Sequence, residues 1–136
     1  MALNLTAEHK MLLALANKAQ KNAHAPYSNF HVGAAILDEN SQLHASCNVE
    51  NAAYPLGQCA EAGAIAAMIA SGSKQIKQIL IASPNNDLCP PCGGCRQKIA
   101  EFADDKTQVH MATTSGEIKT VKFTELLPLA FGFDKE

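Results

Sequence analysis

The spacing of apolar residues along the chain alternates between helical and strand-like patterns. Apolar residues recur every three or four positions after Thr6, which predicts an amphipathic helix over residues 6–22 with Thr6 as its N-cap. Pro26 ends this pattern, because proline disfavours the helical conformation of the residue before it. Strands are predicted over 32–37 and 43–49, and the short polar turn between them makes the pair a β-hairpin.

The second half of the chain continues with helices and strands in alternation. A helix over 59–71, stopped by Gly72, is apolar on nearly all sides, so we expect it to be buried on several sides, as self-association would allow. The strand 76–83 ends in a continuous apolar run, which is typical of a central strand. Interleaved strands and helices predict a layered α/β domain. The remaining predicted elements are a helix over 92–102, strands over 109–113 and 118–122, and a brief helix over 123–127.

Length, composition and charge narrow the class of protein. The 136 residues, 47% hydrophobic and 18% charged, predict one globular domain spanning 1–136. A net charge of −2 provides no basic field for a nucleic-acid partner. The longest apolar stretch, 62–70, has half the length needed to cross a membrane, and the N-terminus does not resemble a signal peptide. We therefore expect a cytoplasmic protein without a membrane or nucleic-acid partner.

The cysteines carry the candidate chemistry. There are five, at positions 47, 59, 89, 92 and 95, and an odd, clustered set in a reducing compartment indicates metal binding or catalysis rather than disulfides. Cys59 opens one predicted helix, and Cys92 and Cys95 open another. A thiolate at a helix N-terminus is stabilised by the helix dipole, so the two helix starts together can present three thiolates to one metal ion. We expect the glycine pair 93–94 to let the backbone turn tightly under the sulfurs.

The ligand type and number predict a catalytic zinc site. Thiolates in a tetrahedral arrangement favour zinc, and three protein ligands leave the fourth position free for water. Glu61, two residues from Cys59, is placed to act as an acid and base on that water. A ligand, one residue, a glutamate and then Pro-Cys-x-x-Cys is the pattern of the zinc deaminases.

The sequence resembles the cytidine deaminases of the short, homotetrameric class over nearly its whole length. Five blocks in the expected order carry this resemblance: Tyr27-Ser28-Asn29-Phe30 with Val32-Gly33-Ala34-Ala35, Asn48-Val49-Glu50-Asn51-Ala52-Ala53-Tyr54, Cys59-Ala60-Glu61, Pro91-Cys92-Gly93-Gly94-Cys95-Arg96-Gln97, and Leu126-Leu127-Pro128 with Ala130-Phe131-Gly132. The resemblance implies a three-layer α/β/α sandwich on a mixed five-stranded sheet and a homotetramer with one zinc ion per subunit. It also implies hydrolytic deamination of cytidine and 2′-deoxycytidine to the uridine nucleosides and ammonia.

The resemblance also implies a role for each matching residue. Cys59, Cys92 and Cys95 would bind zinc, Glu61 would shuttle protons, and Phe30 would pack on the pyrimidine. Asn48 and Glu50 would form hydrogen bonds with the ribose 3′-hydroxyl, and the backbone N–H of Ala60 would donate to the base. Phe131 would reach the site of a neighbouring subunit, and Tyr54 would lie at a subunit contact nearby.

Two positions depart from the family pattern. The family motif usually continues Cys-Ala-Glu-Arg-Thr-Ala, whereas this chain has Ala62 in place of the arginine and Gly63 in place of the threonine. Three thiolates outweigh the charge of one zinc ion, and the missing arginine would normally offset part of the excess. We hypothesise that Arg96 and the two helix N-termini supply the compensation.

Three alternatives remain open on the sequence alone. A structural zinc module would need a fourth protein ligand, for which Cys89 and Cys47 are the candidates. A thiol redox protein could use Cys92 and Cys95, although Cys59 and Glu61 would then have no function. Within the deaminases, the substrate could be a related nucleoside or a modified cytosine.

Overall fold

The computed structural model describes residues 6–133 and contains every predicted element, with ends within two residues of the predicted ones. Thr6 accepts a hydrogen bond from the His9 N–H at 3.1 Å and so caps the first helix, as predicted. The elements are α1 (Ala7–Gln20), β1 (Gly33–Asp38), β2 (Leu43–Cys47), a 3-10 turn (Tyr54–Leu56), α2 (Ala60–Ala70), β3 (Ile76–Ala82), α3 (Gly93–Phe102), β4 (Gln108–Ala112), β5 (Ile118–Lys122) and α4 (Phe123–Leu126).

The five strands form one mixed sheet in the order β2-β1-β3-β4-β5. β3 and β4 run parallel, while the other neighbouring pairs are antiparallel. The apolar strand β3 occupies the centre of this order, as its uninterrupted hydrophobic run predicted. The mixed five-stranded sheet is therefore confirmed.

Alternation along the central strands builds a core on each face of the sheet. In β1, Ala34 and Ile36 face α2 and α3, whereas Ala35 and Leu37 face α1. The face toward α1 also contains Leu12, and the opposite face gathers the larger cluster. One helix on one face and two on the other make a three-layer α/β/α sandwich, which confirms the predicted fold.

The structure requires a glycine at the end of α2 but not at the start of α3. Gly72 has a φ of 102° and follows α2, which confirms the predicted stop. The prediction of a glycine-dependent tight turn at Gly93 and Gly94 is wrong, because neither has a positive φ and a Cβ at either would meet no atom within 4 Å. Both belong to α3, and the extended backbone of Cys92 (φ −66°, ψ 169°) makes the change of direction instead.

Helix α2 lies against the sheet but keeps an open side in the single chain. Ala64, Ile65 and Met68 are buried, whereas Ile69 is 39% exposed. Three neighbouring alanines, at positions 66, 67 and 70, are also exposed. Within the described residues, no helix combines the length and the apolar character needed to cross a membrane.

Candidate active site

A closed loop determines where α2 begins. Val49 and Gln58 exchange two backbone hydrogen bonds, of 2.9 and 2.8 Å, so the chain between them returns to the end of β2. Cys59 follows directly as the extended N-cap of α2 (φ −75°, ψ 156°) and makes no side-chain capping bond. Its sulfur is therefore not used in capping, and Ala60 begins the helix with a backbone N–H that the helix itself does not use.

The start of α3 is fixed by a side chain from its own first turn. Arg96 Nε donates to the Pro91 carbonyl at 2.8 Å, and one terminal nitrogen of the same guanidinium donates to the Leu126 carbonyl at 2.8 Å. Cys92 is the N-cap of α3 and, like Cys59, makes no side-chain capping bond. Arg96 thus connects the segment before Cys92 to the last residue of α4.

The two helix starts bring three sulfurs together. The Sγ atoms of Cys59, Cys92 and Cys95 lie within 4.8 Å of one another, and those of Cys59 and Cys92 are 3.9 Å apart. A tetrahedral zinc ion with zinc–sulfur bonds of about 2.3 Å would separate its sulfurs by about 3.8 Å. The spacing therefore fits zinc. Among the described residues this group contains neither Cys47 nor Cys89, so it offers no fourth protein ligand.

The sulfurs share protons unequally when they hold no metal. A hydrogen bond from Cys95, assisted by Cys92 and by the charge of Lys98, lowers the pKa of Cys59 to about 6. The same bond to Cys59, together with burial, raises the pKa of Cys95 far above its usual value. Negative charge thus settles on Cys59 at neutral pH, and metal binding would displace the remaining thiol protons.

A carboxyl group lies beside the sulfurs in a nearly dry position. Glu61 is 4% exposed, and burial, with a further contribution from the charge of Cys59, raises its pKa to about 7. The charge of Lys98 opposes this rise. A carboxyl group with a pKa near neutral can both take up and release a proton, which is what a proton shuttle requires.

Cys59, Cys92 and Glu61 line a cavity of about 200 Å³. Cys89, considered from the sequence as a candidate fourth zinc ligand, also lines this cavity, and burial raises the pKa of its thiol to about 11. Only its position three residues before Cys92 hinted at such a place. The lining residues are Phe30, Val32, Asn48, Cys59, Ala60, Glu61, Cys89, Pro90 and Cys92.

Three predicted substrate contacts, Phe30, Asn48 and Ala60, line this cavity, and a fourth, Glu50, lies next to it. Phe30 is 40% exposed at the mouth. Asn48 Oδ1 accepts from the Val32 N–H at 2.9 Å, and Asn48 Nδ2 donates to the Phe30 carbonyl at 2.8 Å. Glu50 accepts hydrogen bonds from Tyr27 and Ser28 and lines an adjoining cavity.

Two further predicted contacts, Tyr54 and Phe131, also do not line the cavity beside the sulfurs. Tyr54, 74% exposed, packs its ring against that of Tyr27 at a centroid distance of 5.8 Å and lines the adjoining cavity of about 300 Å³. Phe131 is 70% exposed, and its carbonyl accepts a hydrogen bond from Gln97 Nε2 at 3.0 Å. Both aromatic side chains therefore face outward in the single chain.

The fold and the site together define a class: an α/β metalloprotein with a three-thiolate centre at two helix starts and a buried carboxyl beside it. Residues 6–111 match the family model described as the cytidine and deoxycytidylate deaminase zinc-binding region. The chain belongs to this family. Its metal is zinc.

Individual relatives agree over most of the chain. A cytidine deaminase of Sporosarcina psychrophila is 38% identical over 120 residues, 88% of each chain. One from Halalkalibacterium halodurans is 36% identical over 124 residues, 91% of this chain and 94% of the relative. The crystal structure of a Burkholderia pseudomallei cytidine deaminase superposes with a TM-score of 0.86 at 35% identity, covering 93% of this chain and all of that one.

Proposed function

We propose that this protein is a zinc-dependent hydrolase that removes the 4-amino group of cytidine and 2′-deoxycytidine and releases ammonia. One observation carries the proposal: three sulfurs lie at zinc spacing, and two of them, those of Cys59 and Cys92, line a cavity together with a buried carboxyl group whose pKa lies near neutral. The whole 136-residue chain would form one catalytic domain.

Cys59, Cys92 and Cys95 would hold the metal. When bound, zinc supplies the positive charge that lowers the pKa of a coordinated water toward about 7. Glu61 would take the proton of the attacking water on a carboxylate oxygen and deliver it to ring N3. After the water oxygen has bonded to C4, Glu61 would carry the remaining proton of the new C4 hydroxyl to the amino group, which leaves as ammonia while C4 becomes a carbonyl. Its burial supports this role, because a dry carboxyl group keeps its pKa close to the working pH.

The nucleoside would lie between the sulfurs and the Asn48–Glu50 segment. Phe30 would pack on the pyrimidine, and the unused N–H of Ala60 at the start of α2 would donate to the base. Asn48 and Glu50 would bind the ribose 3′-hydroxyl. Both cytidine and deoxycytidine carry that hydroxyl, so we expect both to be substrates, in a pathway of pyrimidine salvage.

Assembly into a homotetramer would complete the site. Phe131 would reach the cavity of a neighbouring subunit, with Tyr54 at the contact nearby. The high exposure of both side chains supports this arrangement. We propose a cytoplasmic protein that acts on free nucleosides, with neither nucleic acid nor membrane as a partner; the net charge of −2 supports the absence of a nucleic-acid partner.

A related or modified cytosine nucleoside is the second candidate substrate, since Ala62 departs from the family motif near the sulfurs. The structural zinc module lacks support, because the described residues provide only three sulfurs to the metal group. A thiol redox role would use only Cys92 and Cys95 and would not explain why the Cys59 sulfur lies beside them.

The decisive experiment follows cytidine loss by ultraviolet absorbance with the zinc-loaded protein, before and after a chelator. We expect turnover that stops on zinc removal and returns on zinc addition. Glu61→Gln is the matched control, because it should keep the metal and lose activity by roughly 100- to 10,000-fold. Absence of turnover with cytidine and deoxycytidine would contradict the proposal.

A further inference from the structure

The segment that carries Phe30 is held by one serine hydroxyl. Ser28 Oγ donates to Glu50 Oε2 in a short hydrogen bond and accepts from the Phe30 N–H at 3.0 Å. A hydroxyl group has one hydrogen to donate, so this bond occupies its donor while the second bond uses an acceptor site. One atom therefore links the carboxylate of Glu50 to the backbone of Phe30.

The backbone around Ser28 is set for this contact. Asn29 has a φ of 58°, in the left-handed region that non-glycine residues seldom adopt, and its N–H donates to the Ala25 carbonyl at 2.9 Å. The Phe30 carbonyl is held separately by Asn48 Nδ2 at 2.8 Å. Both polar backbone groups of Phe30 are thus fixed by side chains, one through Ser28 and the other through Asn48.

Oε2 of Glu50 can accept one more hydrogen bond, which a substrate hydroxyl could donate. Its Oε1 accepts from the N–H groups of Tyr27 and Ser28, at 3.0 and 3.2 Å, while Oε2 accepts only from the Ser28 hydroxyl. Each carboxylate oxygen has about two acceptor sites, so Oε2 retains one. The Ser28 hydroxyl, ahead of the backbone donors, also lowers the pKa of Glu50, which keeps the carboxylate charged.

We propose that Ser28 is a positioning residue that couples the sugar end of the nucleoside pocket, at Glu50, to its base end, at Phe30. The inference rests on the proposed nucleoside deamination and goes beyond it by assigning a function to a hydroxyl that need not touch the substrate. When a sugar hydroxyl binds to Oε2 of Glu50, Phe30 is already positioned to pack against the base. The same coupling favours nucleosides over free cytosine, which has no group for Glu50.

The test measures the kinetics of Ser28→Ala. A hydrogen bond to a charged group is worth enough for a loss of about 10- to 100-fold in binding. We expect KM for cytidine to rise in that range while kcat changes less than threefold and zinc content stays the same. Ser115→Ala removes a comparable turn hydroxyl, bonded to Thr113 at 2.9 Å and absent from both cavity linings, and should leave KM unchanged.

Coupling to Glu50 separates positioning from a general structural effect. If Ser28 acts through Glu50, the double variant S28A/E50Q should be no more than threefold worse than E50Q alone. Ser28→Thr and Ser28→Val provide a pair of equal shape that differs in the hydroxyl, so a folding failure of Ser28→Ala does not end the test. We expect the threonine variant to retain a KM near that of the unaltered protein and the valine variant not to.

The possible outcomes are distinct. An unchanged KM in Ser28→Ala, equal KM values in the threonine and valine variants, or independent effects of S28A and E50Q would each overturn the role of Ser28 and leave the deaminase proposal standing. A zinc-loaded unaltered protein without cytidine turnover would overturn both.

Discussion

Two basic side chains of α3, Arg96 and Lys98, lie close in sequence to the proposed zinc ligand Cys95. Arg96 was the sequence-based candidate for balancing the thiolate charge, and its guanidinium donates to two backbone carbonyls. Lys98 lies one helical turn after Cys95, and its charge favours the ionised forms of both Cys59 and Glu61. With Ala62 in place of the usual arginine, Lys98 is a second candidate source of positive charge for the site.

We expect Lys98→Gln to weaken zinc binding severalfold, up to about tenfold, because removing the cation makes the thiolates harder to ionise. The measurement is zinc transfer to a chelator of known affinity at pH 7, at low and high salt. Salt should shrink the difference, since Lys98 is exposed. Lys119→Gln on β5 is the control.

Arg96→Gln tests the other candidate cation by the same measurements. Unchanged zinc content and turnover in this variant would show that Arg96 does not contribute to the charge balance.

Sequence reasoning reached the three sulfurs and Glu61 because their spacing relative to two helix starts is local. It named Cys89 only as a candidate fourth ligand, and it did not reach Lys98. Whether a loop cysteine faces a cavity depends on how the loop packs, and which neighbours a helical lysine meets depends on the adjacent helix. Neither can be read from the spacing of residues along one element.

Among the elements, the contact between α2 and β2 explains the second departure from the family motif. A Cβ added to Gly63 would lie 2.2 Å from Ser46 Oγ and 2.9 Å from Ser46 Cβ. The hydroxyl can rotate away, but the Cβ of Ser46 is fixed to the strand. Gly63 on α2 therefore leaves the space that the Ser46 side chain on β2 occupies.

Gly63→Ala should accordingly lower the free energy of unfolding by about 1 to 3 kcal/mol through overpacking, despite the better helix propensity of alanine. Ser46→Gly in the same chain should recover part of that loss, because it removes the clashing atoms. Denaturant unfolding of the two single variants and the double variant tests the coupling. Additive effects would show that the close approach does not limit stability.

A buried histidine links α1 to the sheet. His110 on β4 is fully buried, with one ring nitrogen 2.7 Å from Thr120 Oγ1, the other 2.8 Å from Gln78 Oε1, and its ring against that of His9 at 4.3 Å. Burial, followed by the charge of His9, lowers the pKa of His110 from 6.5 to about 4. Gln78 Oε1 can only accept, so the nitrogen beside it carries the proton of the neutral ring.

Because the folded state resists protonation of His110, the unfolded chain binds more protons between about pH 6.5 and pH 4. Stability should be complete above pH 6.5 and fall as the pH drops through this window, by roughly 2 to 3 kcal/mol from this residue. Urea unfolding at several pH values measures it. His110→Gln should flatten the dependence in this window, whereas His31→Gln, a less buried control, should not.

Helices and strands were predictable to within two residues because their apolar periods are strong. Those periods do not determine how the elements are arranged in space. The parallel pairing of β3 with β4, and the pair of hydrogen bonds between Val49 and Gln58 that sets Cys59 in place, join residues distant in sequence or across an irregular loop. The apolar pattern identifies the buried face of a strand but not its neighbour, and the family resemblance implied a mixed five-stranded sheet without its strand order.

At the scale of the whole molecule, several large apolar side chains remain exposed to solvent in the single chain. Side chains exposed by 69% or more include Tyr54, Leu56, Leu129, Phe131 and Phe133, and the open side of α2 adds Ile69. Apolar surface of this extent favours association with another molecule. A second set of subunits of the same chain would cover it, in keeping with the apolar character of α2 on nearly all sides.

We therefore expect sedimentation or light scattering to give about four times the 14.4 kDa of one chain. Ile69→Lys should reduce that mass, since it places a charge on the open side of α2. Turnover should fall with it, because Phe131 would no longer reach a neighbour's cavity. Met11→Lys alters a residue of similar exposure, 45% against 39%, on the opposite layer and should change neither. A dissociated Ile69→Lys protein with full turnover would show that each chain completes its own site, and that Phe131 acts within one chain or not at all.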